Sequence, residues 1–213
     1  QDLVPINNRW HYHKEVELIH LRKGEGTQFI GDNIRRFKAG DVALIGSNLP
    51  HYWRFDDIYY GENSKISADV RVAHFCEDFW GNNFLELPEN TGIKTVLERA
   101  KLGLQITGRT RSLVAELLEE LLDSDGPQRI ILLMKALVAI SGCKQLETLA
   151  SIGFKHDFKE GENNRINDIY DYTLKNFKRP IQLEEIASVA NISPNSFCRY
   201  FKSRTRKTYS QFL

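Results

Sequence analysis

Little in this chain suits an oxidised, membrane-spanning or strongly charged protein. Its 213 residues include only three cysteines, Cys76, Cys143 and Cys198, far apart and odd in number. No CxxC pair and no zinc spacing occurs, so neither a disulfide framework nor a structural zinc is expected. The cysteines read as reduced thiols, which fits a cytoplasmic protein. Long hydrophobic runs are missing. The oiliest stretch, Ile130 to Ile140, is interrupted by Lys135 and falls short of the roughly 20 residues that a bilayer span needs. No secretory signal is visible, and no membrane partner is expected. Neither charge sign is in large excess, with 29 Lys+Arg against 28 Asp+Glu. The chain opens on Gln1 rather than Met and reads as part of a longer protein.

What is present is unevenly spread. From Asn163 to Leu213 there are 9 Lys+Arg and 4 Asp+Glu, leaving 20 and 24 for the rest. The tail is therefore basic and the remainder acidic, an asymmetry that suits phosphate attraction at one end. Within the tail, Leu183, Ile186, Ala187 and Ala190 recur at helical spacing. Asn191 follows at a turn that needs a left-handed residue. Ser193 reads as an N-cap and Pro194 as the first helical residue. In the helix that follows, Phe197, Tyr200, Phe201 and the stem of Arg204 share one face, and Asn195, Cys198, Arg199 and Lys202 the other. An aromatic face to bury and a polar, basic face to present is the outline of a helix-turn-helix. An ordinary helical hairpin with a solvated basic face, docking a protein partner, is the plainer alternative.

The run Ser193-x3-Phe197-x-Arg199-Tyr200-Phe201-Lys202, followed by Lys207 to Leu213, resembles the first helix-turn-helix of AraC-type transcription regulators. In that family two such motifs are joined by a long helix, which Tyr209 to Leu213 would begin; the second motif is not within these residues. The family usually has Gly where Arg206 stands. The resemblance implies a double-stranded DNA partner, a homodimer and contact with RNA polymerase at promoters. Arg199 is expected to read a base edge beside Asn195, Ser196 and Cys198, with Lys202, Arg206 and Lys207 on phosphate.

The front half reads as β-structure: residues 16–22, 26–31, 34–38, 41–45, 51–55 and 66–76 are short alternating or apolar runs punctuated by Gly, Asn, Asp and Pro. Such spacing suits a sandwich or barrel. His11-x-His13-x3-Glu17-x6-Gly24, followed by Gly40 and His51, resembles the two signature motifs of cupins, small jelly-roll barrels. The second motif departs from the pattern, with Gly46 in place of the usual Pro and Asn48 in place of the usual Gly. Metal-binding cupins hold a divalent ion at the positions matching His11, His13, Glu17 and His51, a donor set that suits Fe, Mn, Ni or Zn. Residues 11, 13 and 17 share parity, so a continuous strand would point all three to one face. In AraC-type regulators the barrel more often binds a small effector. His11, His13, Glu17, His51 and Trp53 are therefore expected to line an effector pocket, with no cofactor and no resident metal. A metal-dependent cupin enzyme of dioxygenase or sugar isomerase type is the alternative. Arg22, Arg35, Arg36 and Arg54 could hold an anionic effector or lie on the solvated surface.

Between these parts, residues 91–100, 110–122 and 128–140 read as helices and 104–106 as a returning strand. The fold class expected is α+β, in four segments. They are a cupin-like effector domain (1–107), a helical dimerisation hairpin (108–154), a polar linker (155–164) and the first half of an all-α DNA-binding domain (165–213). The expected function is transcription regulation, as an activator, without enzymatic activity.

Overall fold

Strand Val16–Lys23 (β1) has to be covered on both sides. Its odd residues Glu17, Ile19 and Leu21 and its even residues Val16, Leu18 and His20 point to opposite faces, and all six are buried. The computed structural model describes residues 10–60, 66–81, 83–152, 154 and 160–213, the side chains of 160–164 apart. Strands Gly26–Ile30 (β2), Asn33–Phe37 (β3), Asp41–Ile45 (β4), His51–Phe55 (β5), Asp69–Phe75 (β6), Leu104–Ile106 (β7) and Leu146–Thr148 (β8) follow. They form a five-stranded sheet of order β6-β1-β4-β7-β8 and a three-stranded sheet of order β3-β2-β5, antiparallel throughout.

Helices Thr91–Ala100 (α1), Gly108–Asp123 (α2) and Pro127–Ser141 (α3) precede β8. Glu160–Asn176 (α4), Leu183–Val189 (α5), Pro194–Thr205 (α6) and Tyr209–Phe212 (α7) follow it. The result is four layers. Ile19, Leu21, Ile30, Phe37, Ile45, Trp53 and Phe55 fill the space between the two sheets. On the outer face of the larger sheet, Val16, Leu18, Val42 and Leu44 pack on Leu97, Leu118 and Leu137 of α1, α2 and α3. On the outer face of the smaller sheet, Phe29 and Tyr52, with Trp10 beside them, pack on the helical unit α4–α7. The cupin-like, mixed α+β architecture expected from the sequence is what the chain forms.

Two boundaries differ from the sequence reading. The segment 108–154 is not purely helical. Its end forms β8, which pairs Leu146 with Ile106 and Thr148 with Leu104, and Leu149, Ala150 and Phe154 enter the inter-sheet core. Three strand residues are too few to show a period, so only the pairing reveals them. Residues 160–164, placed in the linker by the sequence reading, belong to α4, which begins at Glu160, while residues 155–159 lie outside the described residues.

Candidate functional site

The basic tail folds as the residue pattern requires. In α5, Ile186 and Ala187 are buried, and Ala190 just after it is buried too. Asn191 takes φ 54°, and the Ile192 N–H reaches back to the Ala187 carbonyl at 3.0 Å, closing the corner. The Ser193 hydroxyl accepts from the Ser196 N–H, and Pro194 opens α6. Phe197 and Phe201 are fully buried, their rings stacked 5.7 Å apart, and Tyr209 closes against both at 5.2 Å. Burying each such ring stabilises the unit by about 1.5–3 kcal/mol. The opposite face of α6 is open: Asn195, Cys198, Arg199 and Lys202 are exposed, as is Arg206, while Ser196 and Lys207 are half-buried. A second network holds α5 to α4: Arg179 and Tyr172 both bond the Glu185 carboxylate.

The second cluster lies at one end of the barrel. The donor atoms of His11, His13, Glu17 and His51 all lie within 4.8 Å of one another. One continuous strand does not bring them together, contrary to the parity argument. The chain bends at Lys14 and Glu15 before β1 begins. His11 instead pairs with His51 in an isolated bridge, with N···O distances of 3.1 and 2.9 Å. His13 folds back, its Nδ1 2.9 Å from the Glu15 carbonyl. A fifth group joins them. His74 on β6 stands opposite Glu17 in register, and its Nε2 donates to Glu17 Oε2 at 2.8 Å. No motif marked His74; its signal is the alternation Val70, Val72, His74, which continues the inward-facing row of β6 to the barrel mouth.

The second-motif departures have local causes. The Gly46 N–H donates to the Ala100 carbonyl at 2.7 Å, a bond that proline could not make, and a Cβ there would lie 2.5 Å from Ala100 backbone. Asn48 has φ 59°, the left-handed geometry for which glycine is usual.

Lone pairs dominate the cluster. His51 Nδ1 lies 2.7 Å from the Leu49 carbonyl, and a carbonyl only accepts, so Nδ1 carries the proton. The same holds for His13 with Glu15. The Nε2 atoms lie 3.3 and 3.4 Å from Glu17 Oε2, itself an acceptor, so each can bond the carboxylate only by carrying a second proton and otherwise offers it a lone pair. The His51 Nε2 contact is too long for a firm hydrogen bond, and this buried atom has no other partner among the described residues. Converging acceptors need positive charge at their focus, from protons or from a metal ion. Burial alone would raise the Glu17 carboxyl, but its hydrogen bond with His13 and the neighbouring His51 and His74 hold it well below the usual carboxylate range. His13 is raised, chiefly by that bond, against a smaller opposing effect of burial. The residues fit a divalent metal. His11, His13, Glu17 and His51 would be the ligands, and an ion there would supply Lewis-acid chemistry.

The remaining candidates are placed less openly. Trp53 is buried in the inter-sheet core with its ring 5.3 Å from His51. Its indole N–H and the amide nitrogen of Gln28, opposite it in register, are buried without a hydrogen-bond partner among the described residues. The four arginines are each taken by a carboxylate: Arg22 by Asp69, Arg35 by Glu147, Arg36 by Asp56 and Arg54 by Asp57. A cavity of about 570 Å³ opens beside the cluster between Lys14, Asn48, Leu49, Glu77, Lys101 and Phe154. Another of about 470 Å³ lies between β5 and α4. None of the five expected effector residues lines either cavity. The three cysteines are free, and no described helix is long and apolar enough to cross a membrane.

Residues 6–57 match the cupin domain family. A comparison with curated proteins gives no match. Among solved structures, the chain is similar to the AraC-like transcriptional activator CuxR, with 12% identity and a TM-score of 0.40 over 89% of this chain. The match spans 61% of the length of the CuxR chain. It is also similar to an apo ToxT variant from Vibrio cholerae strain SCE256, with 10% identity, a TM-score of 0.36 and coverage of 96% of this chain and 90% of that one. Another ToxT structure from Vibrio cholerae matches at 10% identity and a TM-score of 0.34, covering 97% and 91%. The cupin match begins before the described residues and ends just past β5, so it takes in the whole His11, His13, Glu17 and His51 quartet.

Proposed function

We propose that this chain is a sequence-specific DNA-binding transcription regulator of AraC type, controlled by an effector bound at the His/Glu cluster of its cupin-like barrel. One observation carries the reading: α6 buries Phe197 and Phe201 completely and leaves Asn195, Arg199 and Lys202 open on its far side. That is what a helix entering a major groove requires. The left-handed Asn191 and the Ser193 cap fix the angle at which α5 meets it. Arg199 reads a base edge, with Asn195, Ser196 and Cys198 beside it; Lys202, Arg206 and Lys207 hold phosphate. Two copies associate through the hairpin α2–α3 and so present two reading heads to a repeated site. Activation through RNA polymerase completes the reading and rests on the family resemblance alone.

The test is binding to the DNA upstream of the protein's own coding sequence, followed by fluorescence anisotropy. Arg199→Ala should lose about 1–3 kcal/mol of specific affinity. Lys202→Ala should weaken all sequences alike and lower the salt slope by about 1. A parent protein that binds no DNA, or an Arg199→Ala variant that binds as well as the parent, sinks the assignment.

A metal-dependent cupin enzyme is the second reading, favoured by the metal-ready quartet itself. Oxygen uptake or sugar isomerisation by protein loaded with iron, manganese, nickel or zinc would support it.

A further inference from the structure

The two rings that approach most closely within the metal-ready cluster also sit directly behind the seat of the DNA-reading unit. His11 and His51 are joined backbone to backbone by the isolated bridge, with ring centroids 4.4 Å apart. Neighbouring residues in an extended chain point to opposite sides. Trp10 and Tyr52, one position away from each ligand, therefore face outward, and both are buried at 3% exposure. They are buried by the helical unit. The Trp10 ring lies 5.1 Å from Tyr170 of α4. Tyr52 stacks on Phe29 at 5.3 Å, and Phe29 meets Tyr170 at 5.6 Å and Phe212 of α7 at 6.4 Å. Tyr170 and Phe212 in turn touch Phe201, at 6.4 and 5.3 Å. Phe201 is the anchor of α6, the helix that carries Arg199.

We propose that the effector is a divalent transition-metal cation, and that its binding at His11, His13, Glu17 and His51 is transmitted through the His11–His51 bridge to the seat of the helix-turn-helix unit. This rests on the reading of the His/Glu cluster as the regulator's effector site. The donor set supplies the class of ligand: imidazole lone pairs and a carboxylate suit a borderline divalent cation. The geometry supplies the motion. The donor atoms are now spread over as much as 4.8 Å. An ion with bonds of about 2.0–2.2 Å would draw them to separations of about 3.3–3.6 Å. Such a shift cannot stay local, because His11 and His51 have backbone continuous with Trp10 and Tyr52, and those rings are close-packed against Tyr170 and Phe29. Packed interfaces move between discrete arrangements and do not deform smoothly.

The experiment uses the whole 213-residue chain, stripped with a chelator and then titrated with Zn²⁺ or Co²⁺. Cobalt absorption and calorimetry report binding; hydrogen–deuterium exchange of α4 and α7 reports the seat. One ion per chain is expected, with a change of about 5-fold or more in exchange of α4 and α7 on loading. His13→Gln should abolish both effects. Trp10→Phe and Phe29→Ala should keep the cobalt spectrum and lose most of the response in α4; Trp10→Phe is the conservative choice should Phe29→Ala fold poorly. A protein that binds neither ion overturns the choice of cation. Tight binding with unchanged exchange in α4 and α7 overturns the relay and leaves the metal site standing. Neither outcome touches the DNA-binding assignment, which Arg199→Ala tests separately.

Discussion

Arg206 shows how one residue can serve binding against the interest of the fold. It caps α6 with φ 60° and ψ 0°, and its N–H bonds the Lys202 carbonyl. A side chain in that left-handed position costs about 1–2 kcal/mol, and glycine is the usual choice at a helix end. The residue is exposed. On the regulator reading its value lies in the added cation beside the recognition face. Arg206→Gly should therefore raise the stability of the α4–α7 unit by about 1 kcal/mol, measured by urea denaturation, while lowering DNA affinity and the salt slope. Gain of stability without loss of DNA affinity would remove Arg206 from the phosphate contacts. That Arg206 stands where glycine is usual was legible from the resemblance of the tail alone, because a turn constrains one residue at a time. The partner of Glu17 was not. His74 comes to it from 57 residues away, and only strand register fixes that pairing.

Between elements, the contact of β1 with α2 holds a buried titratable group. His20 points outward from the barrel, is buried beneath α2 and lies 3.7 Å from Glu119. Arg22, Asp69 and Arg71 surround the pair, with Arg71 3.3 Å from Glu119 and 2.6 Å from Asp69. Burial pushes the His20 imidazole below its ordinary value; Glu119 and Asp69 oppose that effect, and Arg22 and Arg71 add to it. The folded state thus binds this proton less readily than the unfolded chain. Stability from His20 is present above an unfolded pKa of about 6.5 and is lost as pH falls through the lower folded value. His20→Gln should remove that dependence, so its melting temperature should gain on the parent's between pH 8 and pH 5. A difference independent of pH would show that His20 is not buried in its neutral form. The sequence predicted this strand and this helix closely, because eight to sixteen residues suffice to show a period. It missed β8, whose Leu146–Thr148 is too short for one. It also misjudged how His11 and His13 reach Glu17, because a bend at Lys14–Glu15 breaks the alternation that a straight strand would keep.

At the scale of the whole molecule, both sheets have their outer faces covered, and the uncovered apolar surface includes one side of α3. Leu132, Leu133, Ala136, Leu137 and Ile140 turn inward, while Ile130, Ile131 and Val138 remain 48%, 48% and 56% exposed. Ile131 and Val138 are seven residues apart, so they lie on one stripe, with Lys135 at its edge. A helix that is apolar nearly all round has a second surface to bury, and the α4–α7 unit does not bury it, because that unit packs on the opposite sheet. A second copy meeting it about a two-fold axis would bring the same stripe against itself, since the residues of an isologous contact face their own equivalents. It would also leave α6 of each copy free. Glutamate at such a stripe places like charges opposite each other in a desolvated contact, which costs several kcal/mol per pair. Ile131→Glu combined with Val138→Glu should therefore convert a dimer to a monomer in sedimentation velocity at micromolar concentration. Its far-UV circular dichroism should match the parent's, because neither side chain belongs to the core of its own chain. A parent protein that sediments as a monomer, or a double variant that stays dimeric, would rule this face out as the dimer contact.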